Sequence, residues 1–140
     1  VRTAARGSNR GIAYVGDEES VEVILDRLST TKNPRLRAKM VGVLEDISSP
    51  LVTRRLFELA QQDPSPEVQE EAVYALTYKE GSEITDLLVE LAKNAGHRDV
   101  REAAIDALGE IGDDAAVAAL EALADMDDDR ATKALRQMAR

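Results

Sequence analysis

Apolar residues recur along this chain at two superposed spacings. Within short segments they fall three and four apart. Val100, Ala104, Leu108 and Ile111 trace one stripe of a helix, widened by Ala103 and Ala107, and Val117, Leu120, Leu123 and Ala124 trace a second. No segment alternates with period two, so strands are not predicted. Over longer range the whole pattern returns every 32 residues without gaps. In the first half of each unit Leu36, Val68 and Val100 correspond, as do Val41, Val73 and Ile105, then Leu44, Leu76 and Leu108. In the second half the matched positions are Val52, Ile84 and Ala116, then Leu56, Leu88 and Leu120, then Leu59, Leu91 and Leu123, with Ala60, Ala92 and Ala124 beside them. Each unit is therefore two antiparallel helices. One such pair cannot bury its apolar stripe alone and must stack on its neighbours.

The polar residues between stripes mark helix starts. Asn33-Pro34, Ser49-Pro50 and Ser65-Pro66 each put a side-chain oxygen at an N-cap, followed by a proline whose missing amide would have gone unpaired in any case. Ser82, Asp99 and Asp113 or Asp114 are the candidate caps of the other starts, and Asp99 with Glu102 has capping-box spacing.

Both ends of the chain are less regular. Gly7, Gly11 and Gly16 suggest a loose arm, yet a step of 96 residues lays Ile12, Val15, Gly16, Asp17, Val21 and Ile24 over Leu108, Ile111, Gly112, Asp113, Val117 and Leu120. Residues 1–31 are accordingly expected to be a degenerate first unit, against the alternative of a frayed arm ahead of a lone helix near Glu18 to Leu28. Units at 32–63, 64–96 and 97–128 follow. Residues 129–140 hold one capping helix with Ala134, Leu135 and Met138 facing inward, and the whole forms one domain.

The run Asp99-Val-Arg-Glu-Ala-Ala-Ile-Asp-Ala-Leu-Gly-Glu-Ile-Gly-Asp113, followed by Ala115-Ala-Val-Ala-Ala-Leu120, resembles the short HEAT-like repeat, the variety also seen in phycobilisome lyases. Other units keep the apolar skeleton but vary its polar positions. Arg101 corresponds to Arg37 and to Gln69, and Gly112-Asp113 to Gly16-Asp17, Ser48-Ser49 and Glu80-Gly81. The resemblance implies an all-α fold, a right-handed α–α superhelix of about four two-helix repeats with a terminal half-repeat helix, whose second helices line a concave face. It also implies that Arg101 and Asp113 form hydrogen bonds between the turns of successive repeats.

Charge and composition narrow the function. Residues 1–64 hold 10 Lys and Arg against 9 Asp and Glu, whereas residues 65–140 hold 8 against 18, for a net charge of −9. Such a surface disfavours nucleic acid and membrane surfaces, whose binding rests on Lys and Arg. No stretch is apolar enough to span a bilayer, and the expected setting is soluble and cytoplasmic. Cysteine is absent, which excludes disulfides, thiolate zinc sites and cysteine nucleophiles. The chain opens on Val rather than Met, as expected of a processed chain or a piece of a longer protein.

Convergent reactive groups are missing. His97 is the only histidine and falls in a turn, which also excludes the paired His-Glu iron sites of one HEAT-repeat hydroxylase family. No glycine-rich phosphate loop is present, because Gly7 to Gly16 lacks a following Lys and a preceding strand. The absence of Trp and the single Phe, Phe57, leave few platforms for stacking bases, unlike the HEAT-like DNA glycosylases. The run Asp125, Asp127, Asp128 and Asp129 lacks EF-hand spacing and suits the N-terminus of the last helix. No catalytic, cofactor or metal residue is therefore assigned.

A surface is left. With the second helices in the groove, the candidate partner-binding residues are Arg54, Arg55, Glu58 and Gln62, then Asp86, Glu90 and Lys93 beside Thr85, then Glu121 and Asp125 beside Ala118 and Ala122. That row runs from basic to acidic and would steer a protein or peptide of opposite gradient. Tyr74 and Tyr78, one turn apart, are candidate anchors or packing residues. The expected function is a non-enzymatic interaction module. The alternatives are a bilin-lyase-like chromophore-handling protein, and a regulatory or spacer domain of a larger protein.

Overall fold

The computed structural model describes residues 18–125 and 128–140, and among the described residues it holds eight helices and no strand. They are α1 (Glu18–Thr30), α2 (Pro34–Leu44), α3 (Pro50–Gln62), α4 (Pro66–Thr77), α5 (Glu83–Asn94), α6 (Arg98–Ile111), α7 (Asp114–Asp125) and α8 (Asp129–Met138). The expected first helix of the first unit lies outside the described residues, and so does Asp127.

Local chemistry explains most of the helix starts. Asn33 Oδ1 accepts from the amides of Arg35 at 2.9 Å and Leu36 at 3.2 Å, Ser49 Oγ from Leu51 at 3.2 Å, and Ser65 Oγ from Val68 at 3.4 Å, each ahead of a proline at the first helical position. Asp113 Oδ1 accepts from the Ala116 amide at 2.8 Å, and Asp128 Oδ1 from those of Arg130 and Ala131 at 2.9 and 3.0 Å. Two expected caps are corrected. His97, not Asp99, is the N-cap of α6, with Nδ1 accepting from the Asp99 amide at 3.1 Å, so Asp99 sits inside the first turn beside the positive end of the helix dipole. Ser82 occupies the N-cap of α5 in a helical conformation that makes no side-chain cap bond.

The apolar period becomes the core. Val41, Val73, Ile105, Leu44, Leu76 and Leu108 from the first helices meet Val52, Ile84, Ala116, Leu56, Leu88 and Leu120 from the second, all of them buried. First helices α2, α4, α6 and α8 pack side by side. The second helices α3, α5 and α7 pack most closely on the first helix of the following unit, α4, α6 and α8 respectively. Successive second helices touch more sparsely. The result is an α-solenoid of about four two-helix repeats in two layers.

Polar groups tie neighbouring units together at one repeated position. Arg101 donates to the Ala95 carbonyl at 2.7 Å, and Gln69 to that of Gln61 at 3.2 Å. Arg37 donates to the carbonyls of Leu28 and Thr31 at 3.1 Å and pairs with the buried carboxylate of Asp63. Each side chain thus satisfies carbonyls that the end of the preceding second helix leaves without intrahelical partners. Gln can stand in for Arg at this position because a side-chain amide also donates to a neutral carbonyl, whereas only Arg37 also meets a carboxylate. Asp113 is corrected to a local role, since its carboxylate caps α7 of its own unit.

Candidate functional site

The outer rows of the second helices hold the expected binding residues. Arg54, Glu58 and Gln62 on α3, Asp86, Glu90 and Lys93 on α5, and Glu121 and Asp125 on α7 are exposed, and Arg55 is half-exposed. Thr85 is instead buried, turned into the core of α5. The fold brings few of these side chains together. Arg55 Nε lies 3.8 Å from Glu58 Oε1, and its Nη1 donates to Ser29 Oγ at 3.3 Å. Glu90 accepts from its helix neighbour Asn94 at 2.8 Å. Exposed pairs of this kind contribute at most about 1 kcal/mol to folding.

The first-helix layer has more relief. Tyr74 and Tyr78 stand 56% and 50% exposed, with rings stacked at a centroid separation of 6.0 Å and an interplanar angle of 21°. Tyr78 Oη donates to Glu110 Oε2 at 2.8 Å, which pushes the phenol pKa up from its ordinary value and bridges two adjacent units. Beside the rings, between α4 and α6, lies an open hollow of about 220 Å³. Thr77, Ala103 and Ala107 form its floor and Glu70, Asp106 and Glu110 its rim. The small alanines create it, because the facing helices leave space where larger side chains would meet.

A second hollow of about 550 Å³ follows between α6 and α8, lined by Gly109, Met138, Lys133 and Arg130. Arg130 clamps Asp106 through Nε at 2.9 Å and Nη2 at 2.5 Å, and its Nη1 lies 3.5 Å from Glu102. On the other flank of α4, Glu71 sits against Gly42 of α2. Burial, then the charges of Glu45 and Glu67, hold its carboxyl above the usual carboxylate range. The tyrosine pair therefore stands within a field of carboxylates.

Among the described residues no three His, Asp or Glu side chains converge as metal ligands. His97 is exposed, and its Nδ1 is occupied as a helix cap. No helix of the described chain is long and apolar enough to cross a membrane.

The outward tyrosines were legible as candidates from their spacing. The hollow was not, because it forms where Ala103 and Ala107 of α6 meet α4, and the two helices come together only in the stack.

A family model of HEAT repeats matches residues 3–77 and again 53–139. No curated protein matches the sequence.

Proposed function

The chain belongs to the HEAT-repeat family, and from that premise we propose that it is a non-enzymatic interaction module whose partner is a protein segment rich in Lys or Arg. The reading is carried by the exposed, stacked pair Tyr74 and Tyr78 beside a hollow rimmed with carboxylates. Exposed aromatic rings are uncommon on a chain that is only 3% aromatic. Tyrosine supplies contact area at small entropic cost and is enriched at binding hot spots. Its ring face also attracts Lys and Arg cations, a contact that strengthens as water is excluded. Glu70 and Glu110 at the rim supply complementary charge, and the chain's net charge of −9 speeds the approach of a basic segment.

A second reading places a partner on the outer rows of α3, α5 and α7. It is favoured by the exposed gradient from Arg54 and Arg55 to Glu121 and Asp125. That face would take a segment acidic at one end and basic at the other.

Titration of fluorescent peptides tests the two readings. A Lys/Arg-rich amphipathic peptide should bind the wild type, and Tyr74→Ala with Tyr78→Ala should weaken it tenfold or more, the size of a hot spot. Loss on Arg54→Glu with Arg55→Glu, and none on the tyrosine pair, would move the site to the second helices.

A further inference from the structure

Two hollows open on the same turn of α6. Asp106 and Glu110 line both the one between α4 and α6 and the one between α6 and α8, so that turn is the crest that divides them. The two crest carboxylates are engaged in opposite directions. Glu110 accepts from the Tyr78 hydroxyl on the α4 side at 2.8 Å, and Asp106 accepts from Nε and Nη2 of Arg130 on the α8 side at 2.9 and 2.5 Å. Their charges therefore weigh differently on the two flanks. Around the first hollow Glu70 and Glu110 stand with no Lys or Arg in the lining, whereas in the second Arg130 offsets Asp106 and the exposed Lys133 makes no ion pair among the described residues. The first hollow is anionic and the second cationic. One repeat on from Tyr74 and Tyr78 stand Asp106 and Glu110 themselves, so the aromatic wall of the first hollow is not repeated in the second.

Given a basic segment seated beside Tyr74 and Tyr78, the reading on which this rests, we infer that the segment is an amphipathic helix crossing α6, and that it carries an Asp or Glu seven residues from the Lys or Arg that enters the first hollow. The spacing follows from the stack. Helices packed side by side stand about 8–10 Å apart, so the hollows on the two flanks of α6 are separated by about that distance. At 1.5 Å per residue this is about six or seven helical residues, and the seventh returns to the same face after two turns. An extended segment covers the same span in about three residues, and the third points to the opposite face. The partner's carboxylate then meets Lys133, with the amide of Gln137 as a further donor. A Lys or Arg at that position meets Lys133 and Arg130 instead, and such like-charge contacts select against a partner.

Fluorescence anisotropy with three helical peptides and the full chain tests this. Each peptide carries one Lys on an apolar face and, seven residues on, Glu, Gln or Lys, which differ little in helix propensity. At about 0.15 M salt, where the chain's net charge of −9 is screened beyond about 8 Å, the Glu peptide should bind about fivefold more tightly than the Lys peptide, with Gln between them. Lys133→Glu, an exposed change whose helicity circular dichroism checks, should reverse that order, and Lys133→Gln should shrink the difference. Moving the Glu to the third position after the Lys should lose the gain, because it then lies over Asp106 and Glu110. Tightest binding of the Lys peptide to the wild type, or an order that Lys133→Glu leaves unchanged, would overturn the acidic position. If the Lys peptide binds best and Tyr74→Ala with Tyr78→Ala still weakens it, the basic segment keeps its seat and only the acidic position falls. If the tyrosine pair weakens none of the three, the seat itself falls and the acidic position with it.

Discussion

Lys79 stands one repeat after Ile47 in the sequence and delivers its ammonium to the Ile47 carbonyl at 2.6 Å. The same Nζ donates to the carbonyls of Leu44 at 2.6 Å and Glu45 at 2.7 Å. Those three oxygens lie at and just past the C-terminus of α2, where intrahelical donors run out and the helix dipole is negative. A lysine thus occupies a position that is isoleucine in the units on either side, Ile47 and Ile111. Its stem lies along the stack while its charge caps the neighbouring helix. Burial pushes the Lys79 pKa down, and the charges of Asp46 and Glu45 oppose that shift.

Lys79→Met keeps the stem and removes the donor. Three carbonyls then lose one partner, and we expect a loss of about 1 to 3 kcal/mol, the cost of leaving buried acceptors unsatisfied. Urea denaturation measures it. A loss under about 0.5 kcal/mol would mean that water replaces the ammonium without penalty.

Leu108→Ala should be among the most costly single changes. Leu108 is fully buried in α6, which packs against α4, α5, α7 and α8. A large-to-small change there costs about 2 to 5 kcal/mol, transfer and cavity together. A value below about 1 kcal/mol in denaturant melts would contradict this packing.

Glu71 sets a pH dependence whose sign is the reverse of a paired carboxylate's. Its folded pKa is raised, so between the ordinary carboxylate value and that raised value the native state holds more protons than the unfolded chain. Its contribution to stability therefore falls as pH rises through the folded pKa. Glu71→Gln should raise the urea midpoint at neutral pH and flatten the profile over the interval just above the ordinary carboxylate value. An unchanged slope would show that neither burial nor the charges of Glu45 and Glu67 raise its pKa in the folded chain.

Charge reversals separate the two faces. Glu70→Lys should weaken a Lys/Arg-rich peptide and lower the salt dependence of its on-rate, because Glu70 rims the hollow beside Tyr74. Arg54→Glu with Arg55→Glu should leave that binding unchanged or strengthen it slightly, and should cost under about 1 kcal/mol of folding since those side chains are partly or wholly exposed. Binding lost only in the arginine pair would favour the second-helix face.

Much of the architecture could be read from the residues alone. The spacing of Val41, Val73 and Ile105 and of Leu56, Leu88 and Leu120 announced the stack, and Asn33, Ser49 and Ser65 announced three helix starts. Both are local matters, a stripe on one helix and an oxygen within reach of amides two or three residues on. The cap of α6 was misread because Asp is the commoner N-cap, while His97, two residues earlier, already holds the extended backbone and the free acceptor that a cap requires. Thr85 was misplaced because a residue adjoining the apolar Ile84 can be carried into the core by helix rotation.

Among the described residues the sequence by itself determined the type and order of the helices and most of the residues that fill the core, because each follows from a period a single helix can express. Only the tertiary structure decided which residues of different units become neighbours. Tyr78 reaches Glu110 and Lys79 reaches Ile47, each one repeat away in opposite directions along the chain. A periodic sequence makes those positions equivalent, and side-by-side packing of the first helices brings them within a side chain's length. The same packing leaves the hollow beside Tyr74 open where Ala103 and Ala107 of α6 face α4.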